Sequence, residues 1–251
     1  MAGALSGGAR VRLLSLMALL ALWEVAGRIA DSRVAPPLSK VLAVLGREIA
    51  SGALPINLGI TLARIAASFA LSMVLGAALG IAMGRDARLD RALDVWLTAL
   101  LNMPALVMAL LLYVWFGLTE AAAIAAITLN KLPTTAVTLR EGTRALDPLL
   151  FEMATVFRFS RARLLRHVIL PQLVPYFFAA ARAGLALIWK VVLVVELLGR
   201  SNGVGFQIEV YFQLFDVAGI LAYTLAFSLV VLALEWGVLQ PLERRAMAWR
   251  R

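Results

Sequence analysis

Long apolar stretches are the feature that most constrains the fold of this chain. One of them, IAASFALSMVLGAALGIAM at residues 65–83, contains no charged side chain. A helix needs about 20 apolar residues to cross the hydrocarbon core of a bilayer. Of the 251 residues, 62% are hydrophobic and 16% are charged, whereas soluble domains contain about 45–50% apolar and about 25% charged residues. The sequence therefore predicts an all-α integral membrane protein, with lipid as the solvent for most of the chain.

Six apolar segments are long enough to be membrane-spanning helices. Arg10 and Arg12, ahead of the first, also fit a signal peptide, but the further apolar segments downstream favour an uncleaved first helix. We expect residues 1–251 to form a single transmembrane domain. The predicted spans lie near Leu13–Ala30, Leu58–Met83, Val95–Leu118, Ala121–Leu139, Leu173–Leu198 and Val217–Leu239.

The cationic residues collect at alternate ends of these spans. With the N-terminus inside, fifteen arginines fall on the inner side and five cationic residues fall on the outer side. The positive-inside rule then predicts that both termini are cytoplasmic. The net charge of +9 is explained by this topology, so no nucleic-acid partner is predicted. The five outer residues are Arg28, Arg33, Lys40, Arg47 and Arg200.

Two patterns predict how the helices are arranged. The segment PPLSKVLAVLGREIASG, Pro36–Gly52, has apolar residues at helical spacing and is predicted to be an amphipathic helix on the outer surface. Gly76, Gly80 and Gly84 form a stripe along the second span that lets another helix approach closely. That helix belongs either to the same chain or to a second copy.

The segment 147–171, which ends with the sequence EMATVFRFSRARLLRHVILP, concentrates charge between two spans. We predict a helix over Pro148–Phe157 with Asp147 as its N-cap and a break near Arg158. Ser160 then caps a second short helix that Pro171 ends. On the predicted topology this helix-turn-helix is cytoplasmic, and it is either a topology anchor or a docking element.

The spacing of Glu152, Ala154, Val168, Leu170 and Pro171 resembles the "EAA" loop of binding-protein-dependent ABC importer permeases. The similarity covers essentially the whole chain. It is strongest to the nitrate, taurine and aliphatic-sulfonate branch of that family. The matching stretches are VAPPLSKVLAVL, LLNMPALVMALLLYVWFGL, RALDPLLFEMA, AGLALIWKVVLVVELLGRSNGVGFQI and LERRAMAWR.

This resemblance implies a permease of the type I fold, with about six transmembrane helices, in the bacterial cytoplasmic membrane. Its implied partners are cytoplasmic ATP-binding subunits, a periplasmic or lipid-anchored solute-binding protein and a second permease copy, expected to form a homodimer. ATP and Mg belong to the partner ATPase, so no cofactor is expected on this chain. The sequence itself agrees, because it contains no Gly-x-x-x-x-Gly-Lys-Ser/Thr loop.

The resemblance also assigns ATPase-coupling roles within the loop. Arg158 stands where the family has a turn glycine, and a left-handed backbone there costs a non-glycine residue about 1 kcal/mol, so the turn is expected to be reshaped. Arg158 is alternatively a partner for an acid on the ATPase. The assigned residues are Glu152, Ala154, Arg158, Ser160, Leu170 and Pro171.

Ionisable residues inside spans are costly and point to function. The candidates for the translocation path are Asn130, Lys131, Lys190 and Glu196. Pro133 is expected to break the fourth span, so that Lys131 either faces the path or extends toward cytoplasmic headgroups. Glu196 is either a gate or packing residue or a solute contact.

Two other charged residues in the spans have structural explanations. Glu24 lies near the end of its span and is expected to cap a helix or to extend to the interface. Arg64 lies close to the entry of the second span and is also expected to extend to the interface.

The function predicted is a permease subunit of an ATP-driven importer for a small solute. Lys131 and Lys190 favour an anion. An ATP-independent secondary transporter is the alternative, but it predicts inverted repeats that the sequence does not show. No catalytic constellation is present, and a lone His167 gives a metal no second ligand, so neither catalytic residues nor a metal site are predicted.

Overall fold

The computed structural model describes residues 7–30, 32 and 34–241, so the C-terminal motif LERRAMAWR lies outside the described residues. The described part is helical and contains no strand. Its α-helices are α1 (Gly7–Ala30), α2 (Leu38–Ala50), α3 (Ala53–Arg85), α4 (Ala87–Asn102), α5 (Ala105–Phe116), α6 (Glu120–Arg144), α7 (Pro148–Val156), α8 (Arg161–Leu164), α9 (Leu170–Gly199), α10 (Val204–Gln213) and α11 (Val217–Leu234). Two π-helical turns, Leu165–Ile169 and Glu235–Leu239, follow α8 and α11.

Four helices in the described residues are long and apolar enough to cross a membrane. They are α3, α6, the continuous helix Arg161–Gly199 and Val217–Gly237. Counting α4 and α5 as one bent span gives five, where the sequence predicted six. The first predicted span is helical as α1, which carries Glu24 and Arg28, but it is not among these four.

The segment predicted as a span near Val95–Leu118 is not one continuous helix. The chain bends by 103° between α4 and α5. The break falls at Met103, which is extended with φ −76° and ψ 123°, and at Pro104. Proline disfavours helical geometry in the residue before it and has no N–H to donate, so the helix ends at Asn102 and restarts at Ala105.

The prediction that Pro171 ends a helix is wrong. The chain stays helical from Arg161 to Gly199 over 39 residues. Pro171 lies in the first turn of α9, directly after the π-helical turn Leu165–Ile169. A π turn changes the hydrogen-bonding register of a helix, and the helix continues past Pro171 although a proline has no N–H to donate.

The glycine stripe of α3 packs against α6 within the same chain. A Cβ atom on Gly80 would lie 2.2 Å from the carbonyl oxygen of Ala136. Cβ atoms on Gly76 and Gly84 would lie 2.7 and 2.6 Å from the Cβ atoms of Thr135 and Thr143. The two backbones therefore approach closely along three turns, which favours intramolecular packing over a dimer seam for this stripe.

The amphipathic helix predicted at Pro36–Gly52 is present as α2. Its buried face packs on α11, where Val41 and Val44 form an apolar cluster with Ala218 and Ala222. Glu24 of α1 accepts hydrogen bonds from the backbone N–H and the hydroxyl of Ser39, both at 2.8 Å. Glu24 therefore caps the start of α2, as predicted.

We expect Gly80→Ala to destabilise the protein by about 1–3 kcal/mol, because the new methyl group overlaps the Ala136 carbonyl and the backbone has to move. The free energy of unfolding in detergent micelles measures this loss. Gly59→Ala, on the same helix with nothing within 4 Å, is the control and should be neutral or slightly stabilising. Equal effects of the two substitutions would contradict the close α3–α6 contact.

Candidate functional site: the coupling segment and the intramembrane charges

The helix α7 begins as predicted. Asp147 accepts a hydrogen bond from the backbone N–H of Leu149 at 2.9 Å, and Pro148 occupies the first turn. The backbone N–H of Asp147 donates to the side-chain carbonyl of Gln172 at 2.9 Å. The start of α7 is thus capped by its own aspartate and held to the beginning of α9.

Arg158 adopts a left-handed conformation, with φ 50°. The N–H of Phe159 donates to Ala154 at 2.8 Å, and the N–H of Arg158 donates to Thr155 at 3.0 Å. These two bonds form a Schellman motif, in which the residue at the position of Arg158 is usually glycine. The turn is therefore kept rather than reshaped, at a backbone cost of about 1 kcal/mol.

One face of α7 is exposed and largely apolar. Glu152 is also exposed, and no ion pair engages it within the described residues. Ala154 is buried on the opposite face, at 3% exposure. The result is an apolar ridge with one free carboxylate. The ridge is formed by Leu149, Met153, Val156 and Phe157, which are 69%, 41%, 78% and 67% exposed.

The second half of the segment is anchored by its apolar residues and exposes its basic ones. The hydroxyl of Ser160 accepts a hydrogen bond from the N–H of Arg163 at 3.4 Å and so caps α8. Val168 and Ile169 are buried, whereas Leu170 is 48% exposed. Arg161, Arg163 and Arg166 are all exposed.

A second cluster of predicted residues lies where α3 meets α9. Glu196 is fully buried and accepts hydrogen bonds from the Thr61 hydroxyl at 2.8 Å and from the Gly205 N–H at 2.8 Å. Arg64 is 2% exposed and pairs with Glu196 at 2.7 Å. A buried ion pair of this kind is maintained only when further hydrogen bonds satisfy both charges, and the Thr61 and Gly205 bonds do so for Glu196.

Arg64 also joins α3 to the start of α6 and to the loop after α9. It pairs with both carboxylate oxygens of Glu120, and it donates to the carbonyl and side-chain oxygens of Asn202. Arg200 pairs with Glu120 at 2.7 Å. The prediction that Arg64 extends to the interface is therefore wrong, because the guanidinium finds two carboxylates inside the protein.

The structure places Lys131 between α6 and α9. Its side chain is 1% exposed, and its ammonium group donates to the carbonyl oxygen of Ala180 at 2.8 Å. The space for this side chain exists because residue 184 is glycine: a Cβ there would lie 1.5 Å from Cε of Lys131. The predicted break at Pro133 is absent, since α6 continues through it, and the neighbouring Asn130 is half-buried.

Lys190 is in a different environment from the other path candidates. It is exposed on α9, and no hydrogen bond or ion pair engages it within the described residues. Lys190 and Glu196 lie six residues apart on one helix, so they point in directions about 120° apart. The structure therefore brings Glu196 together with Arg64 and leaves both lysines away from that cluster.

The ion network around Arg64 was not predicted as a unit. The partners of Arg64 lie 56 to 138 positions away from it in the sequence, and no local spacing connects them to it. One indication was present in the sequence. Glu120, Glu196 and Arg200 all lie at ends of predicted spans, and the predicted topology places these ends on the same side of the membrane. Only the packing of α3, α6 and α9 shows that they meet.

These features agree with the comparison to known proteins. Residues 55–239 match the family described as "Binding-protein-dependent transport system inner membrane component". The chain belongs to this family. It is thus a multi-pass inner-membrane permease subunit of an ATP-driven importer, a transport component rather than an enzyme, with ATPase and solute-binding partners.

Two relatives are similar over most of their length. The first is from Bacillus subtilis (strain 168) and is named as the aliphatic sulfonates transport permease protein SsuC. It is 31% identical to this chain, and the match covers 92% of this chain and 84% of the relative. The second, of the same name from Escherichia coli (strain K12), is 33% identical over 75% of this chain and 72% of the relative. The taurine transport system permease protein TauC of Escherichia coli (strain K12) is 28% identical, over 59% and 53%.

A solved structure supports the fold. The chain is similar to one described as "Crystal structure of an amino acid ABC transporter with histidines", with a TM-score of 0.65 and 19% identity. The match covers 80% of this chain and 97% of that chain. The expected permease fold is therefore confirmed.

We expect Arg64→Met to destabilise the protein by about 3–5 kcal/mol, because it leaves the carboxylate of Glu196 buried without its counter-ion. The double variant Arg64→Met/Glu196→Gln should recover part of this loss. Unfolding in detergent, followed by circular dichroism, measures both. Arg47→Met, an exposed arginine on α2, is the control and should change stability by less than about 0.5 kcal/mol. A similarly small effect of Arg64→Met would contradict the role of the cluster.

Proposed function

We propose that two copies of this chain form the translocation path, that α7 is the element moved by the ATP-binding subunits, and that the solute is a small anion. The observation that carries the coupling role is the exposed ridge of α7 with Glu152 beside it. An apolar ridge of this kind suits a groove on a partner protein. The free carboxylate adds a charge that fixes the docking register.

The attachment of α7 allows it to transmit movement. It follows α6 after three residues and is held to α9 through the bond between Asp147 and Gln172. The Schellman turn at Arg158 joins it to the helix Arg161–Gly199. A displacement of α7 therefore acts on two spanning helices at once, which is what a change between two access states requires.

The side of the membrane follows from the charges. We place α7 and both termini in the cytoplasm, because Arg85 and Arg144 end α3 and α6 on the same side as the arginines of the coupling segment. An excess of arginine marks the cytoplasmic side. The ATP-binding subunits act from that side, and the solute-binding protein acts from the other.

The exposed charge of Lys190 supports both the homodimer and the anionic solute. An ammonium group in the middle of a spanning helix is costly against lipid, so this face borders protein or water. Ala179, Ala183 and Ala186 are exposed in helical register with Lys190, and such small side chains permit close approach of a second helix. We place a second copy beside this face and the solute at Lys190.

The other path candidates have supporting roles in this proposal. Lys131 is held behind α9, where its charge adds positive potential along the path without touching the solute. Asn130 lies beside it. Glu196 fixes the loop at Gly203–Gly205, which we assign to the outer gate. The names of the relatives, which specify sulfonates and taurine, support an anionic sulfonate group as the ligand.

In proteoliposomes containing the chain, its ATP-binding subunit and its solute-binding protein, we expect Glu152→Lys to reduce ATP-driven uptake at least tenfold. The reason is that the reversed charge stops α7 from docking, while the exposed site tolerates the change. Glu209→Lys on α10 makes the same charge change away from α7 and is the control. Unchanged uptake by Glu152→Lys would contradict the coupling role, and uptake without the ATPase would indicate a secondary transporter.

With taurine or an alkanesulfonate as solute, we expect Lys190→Gln to raise the KM for uptake about ten- to a hundredfold. A charge-assisted hydrogen bond worth about 1.5–3 kcal/mol is lost. Lys190→Arg should retain most of the transport, and Lys40→Gln on α2 is the control. The basal ATPase rate should not change. If KM is unchanged in Lys190→Gln, the anion does not bind at this residue.

A further inference from the structure

The corner between α3 and α4 carries an uncompensated positive charge. The acids nearby are already engaged: Asp86 caps α4 by accepting from the N–H of Arg88 at 2.8 Å. Asp90 pairs with Arg140 at 3.2 Å and also with Arg144, both on α6. Asp94 pairs with Arg140 too. Asp90 and Asp94 are thus paired with arginines of α6, Asp86 caps α4, and none of these carboxylates forms an ion pair with an arginine of the corner in the described part of the chain.

Three arginines lie within seven residues at this corner. Arg85 ends α3, and Arg88 and Arg91 lie three residues apart near the start of α4. All three are exposed, and no carboxylate pairs with any of them within the described part of the chain. Arg91 donates only to the carbonyl of Ala87, in its own helix, at 3.2 Å. The guanidinium groups therefore remain available to an external anion.

The same helix continues into an exposed apolar surface. Val95 and Trp96 are 71% and 69% exposed. Val95 lies four and seven residues after Arg91 and Arg88, so it shares their helix face. Leu97, on the other side of α4, is buried against Met83 and Ala136. Along α4 away from the corner, the exposed side chains thus change from guanidinium groups to the apolar side chains of Val95 and Trp96.

This order matches the layers of a membrane leaflet. Tryptophan is enriched at the level of the headgroups, with charges outside it and apolar groups inside it. The helix α3 has 33 residues and is about 50 Å long, whereas the hydrocarbon core is about 30 Å thick. Its end at Arg85 therefore reaches the headgroup layer or beyond.

We propose that Arg85, Arg88 and Arg91 bind the phosphate headgroup of an anionic phospholipid, with Val95 and Trp96 against its acyl chains. Guanidinium groups bind phosphate oxygens through paired hydrogen bonds. Clusters of arginine beside a spanning helix attract anionic lipids in the cytoplasmic leaflet. A docked protein subunit would satisfy the arginines but not the apolar face that continues into the membrane, so the lipid is the better match.

The site is next to the coupling segment. Asp90 joins α4 to Arg144, the last residue of α6, and α7 begins four residues later at Pro148. A lipid bound at the corner would hold α4, and through Asp90 it would hold the end of α6 from which α7 extends. The binding proposal itself does not depend on the solute or on the coupling role of Glu152.

The test measures lipid retained by the purified full chain, by native mass spectrometry with phosphatidylglycerol and phosphatidylcholine offered in turn. We expect the triple variant Arg85→Gln/Arg88→Gln/Arg91→Gln to bind phosphatidylglycerol at least tenfold more weakly, with no change for phosphatidylcholine. The matching Arg→Lys triple variant should keep most of the binding. Arg161→Gln/Arg163→Gln/Arg166→Gln removes the same charge on the same side and should retain phosphatidylglycerol binding.

Three outcomes would overturn the proposal. The first is an unchanged affinity of the Gln triple variant for phosphatidylglycerol. The second is an equal loss in the control triple variant, which would show only general electrostatic attraction. The third is intact lipid binding by the Gln triple variant together with a loss of co-purification of the ATP-binding subunit. That result would show that the corner binds this subunit and not a lipid. Thermal unfolding checks that each variant is folded, which is expected because Arg85, Arg88 and Arg91 form no hydrogen bond or ion pair with another element within the described residues.

Discussion

The buried ion pair between Arg64 and Glu196 is the interaction on which the arrangement of the transmembrane core depends. Two charges inside a membrane protein are maintained only if each is paired and hydrogen-bonded. Arg64 meets this requirement with Glu196, Glu120 and Asn202, and so joins α3, α6 and the loop after α9. Glu196 in turn accepts from Gly205, where a side chain would clash. The adjoining ends of three helices are thereby fixed to one another.

This pair also sets the rotation of α9. When Glu196 faces α3, Lys190, six residues earlier, points about 120° away and comes to the exposed face. The exposed lysine and the buried glutamate are thus two consequences of one helix orientation. The close contact at Gly80 holds together the same two helices, α3 and α6, that the pair between Arg64 and Glu120 joins.

The other end of the bundle has its own ionic cluster, formed by Asp90 and Asp94 with Arg140 and Arg144. This cluster connects α4 to the end of α6, just before α7. The permease thus has an ionic cluster at each end of its helix bundle. The segment between Arg144 and Arg161 contains the exposed ridge and the strained turn at Arg158. A strained backbone persists where the surrounding structure maintains it and is often found in functional segments.

Local patterns allowed several features to be predicted from the sequence. The cap of α7 by Asp147, the turn at Arg158 and the cap of α8 by Ser160 follow from residues a few positions apart. The glycine stripe predicted a close helix contact but not its partner. Pro104 and Pro171 show where local patterns stop being sufficient, because both prolines disfavour a regular helix. The chain bends by 103° at Pro104, whereas it continues through a π turn into Pro171. Which response occurs depends on neighbouring helices.

The sequence by itself determined that this chain is a helical membrane protein and that one charged segment interrupts its spans, because hydropathy and capping act over short distances. It also contained the residue spacing, from Glu152 to Pro171, that resembles a motif of the family to which the chain belongs. Only the tertiary structure decided which intramembrane charges are paired and which are exposed. Arg64, Lys131, Lys190 and Glu196 are similar in their sequence surroundings, but their roles differ because helix packing gives each a different neighbour. Burial makes a charge depend on partners that are distant in the sequence, and no local pattern contains that information.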